Sequence, residues 1–271
     1  MKNGVTRLIL ICLFFLGAIV MLLQPRALVF GSTPSPARSP VVVELFTSEG
    51  CSSCPPADAL LAQLAERPPG ENVQVIALEE HVDYWDELGW VDPFSSRALT
   101  NRQYAYAETL GNRNAYTPQM VVQGQAEFVG NHAQLARQKI EDAASNATAP
   151  VTLEQTQAED KGGANLKVTI GKLTGTAKGG AAEVWLAITE TGLHTAVTGG
   201  ENAGHELHHA AIVRAMRKIG EARADGEPSF SANATASLHS DWKRENLRAV
   251  VFVQEKKSRR ILGAAQIRIG Q

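Results

Sequence analysis

The feature that most constrains this chain is Cys51-Ser52-Ser53-Cys54, which directly follows the apolar run 41–46 and directly precedes the helix-like stretch 55–66. Two thiols on a strand-to-helix turn sit at a helix N-terminus, where the peptide dipoles favour a thiolate. The arrangement predicts an alternating α/β unit around the pair, with thiol–disulfide exchange as its chemistry.

The cysteine count sharpens that reading. Of the three cysteines, Cys12 lies within the apolar stretch 8–23, after Lys2 and Arg7 and before a run of small residues and prolines. This is the layout of a signal peptide cleaved near residues 29–31. An uncleaved N-terminal anchor is the alternative, since the stretch is only slightly shorter than the roughly 20 residues of a spanning helix. Both place the rest of the chain outside the cytoplasm, periplasmic or secreted. Two cysteines two residues apart then remain, too few for a framework of long-range disulfides. A bridge closing so small a loop removes little chain entropy, so it is a poor staple and a suitable redox switch. Two ligands of a metal site, or an inert surface bridge, are the other readings of the pair.

Beyond the leader the chain carries 23 basic and 28 acidic residues, and no basic stripe or aromatic platform for nucleic acid is present. With 44% hydrophobic residues, it can bury one large core or two small ones. Residues 1–31 are the leader, and the Pro/Ser-rich segment 32–40 reads as a linker. From 41 to 149 strand and helix patterns alternate: strand 41–46, helix 57–66, strand 73–78, helix 95–110, a hairpin of 119–123 and 127–129 around Gly124, and helix 133–144. After Ala149-Pro150 the texture changes to short β-type runs broken by Gly, Asn and Asp, at 151–155, 166–170, 183–189, 210–217, 234–238, 247–254 and 261–269. This predicts a second, sandwich-like domain over 150–271, although 205–219 also fits a helix.

The blocks VVVELFTSEGCSSCPPAD at 41–58, HVDYWD at 81–86, GWVDPF at 89–94 and YTPQM at 116–120 resemble the DUF1223 family of secreted bacterial thioredoxin-like proteins. The stretch from Glu201-Asn202 to Val213-Arg214 resembles that family's downstream β-rich part. The resemblance implies an α/β thioredoxin-like domain followed by a mainly-β, sandwich-like domain, in a bacterial periplasmic setting, and supplies no substrate.

On that template Cys51 is the attacking thiolate and Cys54 the resolving thiol. Thr117-Pro118 stands where thioredoxin-like folds place a cis-proline facing the CxxC, open to an extended peptide; an ordinary trans proline opening an edge strand is the alternative. Glu44 shares a strand face with Val42 and Phe46, a carboxylate in a core position suited to carry protons for Cys54, unless that edge is exposed. His81 is expected to titrate near neutral pH and tune Cys51, or else to pack the loop with Tyr84, Trp85 and Trp90. His205, His208 and His209 form a second cluster: on a helix their spacing puts two or three imidazoles on one face, as metal ligands need, but on a strand, the preferred reading, His208 and His209 point to opposite faces and cannot chelate together.

Three functions follow from these residues. The first is an exported thiol–disulfide oxidoreductase acting on a protein thiol or disulfide, with no cofactor and with membrane contact only through an uncleaved leader. The second is a periplasmic copper carrier using Cys51, Cys54 and His81, since thiolates suit Cu(I). The third is a non-enzymatic binding module whose dithiol is vestigial.

Overall fold

The computed structural model describes residues 38–271 except 113, 147, 157–161, 174–180 and 271, so the leader and Cys12 lie outside the described residues. Residues 38–271 form one compact unit. Strand β1 (Ser39–Thr47) pairs in parallel with β2 (Val73–His81), from Ser39 opposite Val73 to Thr47 opposite His81. Both strands are buried on both faces over most of their length, which is why they read as near-continuous apolar runs. Helix α1 (Pro55–Glu66) opens on two prolines, whose missing N–H groups have no partner to lose at that position. Its Ala57, Leu60, Leu61 and Leu64 pack on the odd-numbered side chains Val41, Val43, Leu45, Val73, Val75 and Ala77, together with Ala136 and Ile140 of α3 (Ala133–Ala144). Helix α2 (Arg97–Leu110) covers the even-numbered face; Ser96 Oγ caps its start by accepting from Ala98 N, and Gly111 ends it at a φ of 78°.

The remaining strands do not form a separate body. They are β3 (Gln119–Val122), β4 (Ala126–Val129), β5 (Val151–Gln155), β6 (Gly163–Ile170), β7 (Ala181–Glu190), β8 (Leu193–Ala196), β9 (Glu206–His209), β10 (Ile212–Arg223), β11 (Phe230–Ser237), β12 (Leu247–Glu255) and β13 (Ile261–Arg268). One eight-stranded mixed sheet runs β13-β12-β7-β10-β2-β1-β3-β4. β10 joins the two halves by lying parallel to β2, with Ile212 opposite Glu79. The small sheet β11-β6-β5 packs on the β7–β12–β13 end through Leu166, Val168, Val184, Val251 and their neighbours.

The expectation of an α/β thioredoxin-like domain followed by a separate sandwich-like domain is therefore corrected. The described residues are 43% strand and 22% helix, and no separate α/β domain is present among them. The texture change near residue 150 is real, but β7, β10, β12 and β13 pair back into the sheet begun by β1 and β2. Nor is 205–219 a helix; it forms β9 and the start of β10.

The large sheet curls until β13 returns to β1, with Gln123 as the joint. Gln123 Oε1 accepts from Val42 N, its Nε2 donates to Ile261 O and its own carbonyl accepts from Ile261 N. Val42, Ile76, Val213, Ala187, Phe252 and Ile261, drawn from six strands, share one core with Leu99 of α2. Gly124 allows this closure: its φ is +68°, and a Cβ there would lie 2.0 Å from Arg259 O.

Candidate functional site

Cys51 and Cys54 are joined by a disulfide at the head of α1. Ala57 N and Asp58 N donate to Cys54 O, so the second cysteine is built into the first turn. The Ser52 and Ser53 side chains between them are exposed, yet both cysteines have no exposed surface.

The cysteine turn is held from the far half of the chain. Glu201 Oε2 accepts from Ser52 N and Ser52 Oγ at 3.1 and 2.6 Å. Asn202 Nδ2 donates to the carbonyls of Glu49 and Cys51 at 2.8 and 3.0 Å. This loop sits against the chain at 89–90, where a Cβ on Gly199 would lie 2.3 Å from Gly89 O. Trp85 closes another side: its Cβ meets the position a side chain on Gly50 would take, and its Nε1 donates to Thr117 Oγ1 at 2.8 Å.

Beneath the disulfide lies a buried acid–histidine network. Thr47 Oγ1 donates to Asp58 Oδ1 at 2.7 Å. His81 Nδ1 faces Asp92 Oδ2 at 2.7 Å and His81 Nε2 faces Glu79 Oε1 at 3.3 Å. His209 Nδ1 reaches the same Glu79 Oε1 at 2.6 Å, and His209 Nε2 faces Glu49 Oε1 at 3.1 Å. Glu49 Oε2 accepts from Trp90 Nε1, and Glu49 N donates to Asp92 Oδ2. Glu79, His81 and Thr47 share one face because they fall at alternate positions of paired strands.

The charges follow from these contacts. Burial, and then the charge of Glu79, push the Asp58 carboxyl up to about 7, against the Thr47 hydrogen bond. Burial works against charge on His209, but the hydrogen bonds to Glu49 and Glu79 prevail and raise it to about 9. His81 is likewise raised, burial being outweighed by the charge and hydrogen bond of Asp92. Glu79 is depressed despite its burial, because both imidazoles donate to it.

Of the residues singled out from sequence, Cys51 and Cys54 form the bridge and His81 lies in the network below it. Its nitrogens face Asp92 and Glu79 rather than the cysteines. The Thr117–Pro118 bond is cis. Thr117 reaches the cysteine loop through Trp85, and Pro118 through Gly130, whose position also abuts Ala57 of α1. Glu44 is buried but points to the other face, where Arg102 Nε donates to its Oε1 at 2.6 Å and Tyr106 Oη to its Oε2 at 2.5 Å. His208 is exposed and His209 buried, the alternation a strand imposes.

The model of the DUF1223 family, described as a protein of unknown function, matches residues 42–254. The chain belongs to that family. Two solved structures share the fold of this DUF1223 protein. One, from Agrobacterium tumefaciens, is 24% identical, with a TM-score of 0.65 over 88% of this chain and 96% of its own. The other, HBP35 of Porphyromonas gingivalis, is 16% identical, with a TM-score of 0.65 over 88% of this chain and 77% of its own. No curated protein matches the chain.

Sequence reasoning missed Asp58, Glu49, Glu79, Asp92, Glu201, Asn202 and the role of His209 in this DUF1223 site. Asp58 carries a local signal, an acid one turn after Cys54 on an otherwise apolar helix face. So does Glu79, two residues before His81 on one strand face. Glu201, Asn202 and His209 lie about 150 residues from the cysteines in sequence, and no spacing points to them.

Proposed function

We propose that this DUF1223 protein is an exported thiol–disulfide oxidoreductase whose redox centre is the Cys51–Cys54 pair and whose substrate is a protein thiol or disulfide. The observation that carries the reading is the disulfide at the head of α1 with the buried Asp58 one turn along, a carboxyl that exchanges its proton near neutral pH. In the oxidising direction a substrate thiolate attacks Cys51 Sγ. The Cys51–Cys54 bond breaks, and Cys54 leaves as a thiolate that takes the Asp58 proton. A second substrate thiolate then attacks the substrate sulfur of the mixed disulfide and releases Cys51 as a thiolate. The substrate loses two electrons and the protein gains them; the reverse sequence reduces a substrate disulfide. Because both sulfurs are covered, the loop carrying Glu201 and Asn202 must move aside for either direction, so access is controlled from the β-rich half. Export is supported by the leader-like N-terminus and by the pairing of both cysteines that follow it.

The test is equilibration of the full chain in graded ratios of reduced to oxidised glutathione, followed by acid trapping and thiol counting by mass. The expected result is one reversible two-electron transition with the fold intact by circular dichroism. In the reduced protein Cys51 is alkylated faster than Cys54, with a pKa below the free-thiol value of about 8.5. A bridge that opens only when the chain unfolds, or a Cys51 no more reactive than Cys54, overturns the proposal.

A further inference from the structure

Glu79, His81 and His209 converge on one point: the ligand atoms of all three lie within 4.8 Å of one another, and all three residues are buried. Each imidazole presents its inner nitrogen to Glu79 Oε1 and has its outer nitrogen held by a second carboxylate, Asp92 for His81 and Glu49 for His209. Glu79 Oε2 is turned away and accepts from the backbone nitrogens of Ala210 and Ala211. A neutral imidazole has one N–H and one lone pair. A neutral ring with a carboxylate oxygen at both nitrogens leaves one lone pair facing an oxygen, which is relieved by a proton on the ring or on the carboxyl, or by one cation shared by both rings.

We propose that Glu79, His81 and His209 form a binding site for one divalent transition-metal ion, with zinc the best match to the donor set. Two imidazoles and one carboxylate are a three-ligand zinc set that leaves a fourth position for water or an anion. Asp92 and Glu49 supply the outer carboxylates that fix ring orientation in such sites. A divalent ion replaces two protons, so the buried cluster keeps its net charge. Tetrahedral zinc, with bonds of about 2.0–2.1 Å, spaces its donors about 3.3 Å apart. The His81 contact already has that spacing, and the 2.6 Å His209 contact must open by less than about 1 Å. His209 also borders a cleft of about 970 Å³ shared with Asp58, Leu207 and Ala211. No cysteine takes part, so the site stands independently of the thiol chemistry.

The experiment is titration of untagged, chelator-stripped full chain with zinc against a chromophoric chelator, and with cobalt(II) followed by visible absorption. One ion per chain is expected, retained in Cys51→Ser/Cys54→Ser and in His194→Ala/His208→Ala, which removes exposed histidines. Glu79→Gln and His209→Ala should each weaken binding at least tenfold. Cobalt should show ligand-field bands of a nitrogen- and oxygen-ligated ion without thiolate charge transfer, a readout on the native chain that does not depend on any variant folding. Absence of stoichiometric binding, thiolate bands, or binding lost with the cysteines or with the exposed histidines overturns the proposal.

Discussion

Glu44 and Thr47 leave β1 on opposite faces, and the buried clusters they enter differ in what neutralises their charge. On the even-numbered face Glu44 and Glu80 meet Arg102, whose guanidinium also lies 5.1–5.4 Å from the rings of Tyr106, Trp185 and Phe252. That cation does not deprotonate. Glu80, whose carboxyl oxygens make no hydrogen bond at short range, is pushed well up by burial and then by the charge of Glu44. On the odd-numbered face the positive charge is carried by His81 and His209, which can lose it, and the disulfide lies beside them. The same pair of strands therefore carries a fixed ionic clasp on one side and an exchangeable one on the other. The first suits a structural joint between α2 and the curled sheet. The second suits chemistry.

Removing Arg102 is the strongest way to break this comparison. Arg102→Ala leaves the buried carboxyls of Glu44 and Glu80 without their counter-charge, and the expected loss is about 3–5 kcal/mol by denaturant melting. If the faces divide the work as argued, the variant that remains folded keeps the wild-type order of alkylation of Cys51 and Cys54. A loss below about 1 kcal/mol, or a changed cysteine reactivity in the folded variant, removes the distinction.

Asp58 sharpens the other side. Its carboxyl is held at about 7 when folded, against about 3.9 unfolded, with Glu79, His81 and His209 as the charged groups around it. The native state binds the extra proton, so this contribution is fully present below about pH 4 and is lost as pH rises through 7. Over that window the wild type should lose on the order of 3 kcal/mol relative to Asp58→Asn. Paired urea melts at pH 4.5 and 7.5 measure the difference. Parallel pH profiles for the two proteins would show that Asp58 is not a buried proton store.

Asn202→Ala tests whether the cover belongs to the site. It deletes the two hydrogen bonds to Glu49 O and Cys51 O, and the expected cost is about 1–2 kcal/mol. Reduction of the disulfide by a small thiol should accelerate by more than the change in global stability explains. An unchanged reduction rate would mean that the loop does not gate the sulfurs.

Much of the frame was legible because hydrophobic period reports it directly: β1, β2, α1 and α2 all fall where their apolar residues recur, and the burial of Glu44 followed from its alternation with Val42 and Phe46. What alternation could not supply was the partner. Glu44 meets Arg102 from 58 residues away, and Glu79 meets His209 from 130. Long-range pairing also decided the domain question. The local pattern after residue 150 is that of short strands, but whether they pair among themselves or with β2 depends on which edge is free, and β2 offers one to β10. The acid one turn after Cys54 was in plain view and lost to Glu44 because a strand carboxylate in a core position is the more conspicuous anomaly.

The smallest effect is expected at Glu201, where the comparison can be cut most finely. Its carboxylate is exposed, and hydrogen bonds from Ser52 hold it below its usual range. Exposed contacts of this kind contribute little to folding and are screened by salt. Glu201→Gln should therefore leave the melting temperature unchanged, while a carboxamide accepts less strongly from Ser52 N and Oγ. The loop should release the cysteines slightly more often, with small-thiol reduction faster by roughly twofold at low salt and by less at high salt. Because the hydrogen bonds of the Glu201 carboxylate come from Ser52 and not from the side chains of the buried network, the rate should change without any shift in the pH dependence set by Asp58. A Glu201→Gln variant that alters the pH profile would couple the exposed edge of the cover to the buried charges, which the neighbouring Asn202 meets at the backbone carbonyl of Glu49.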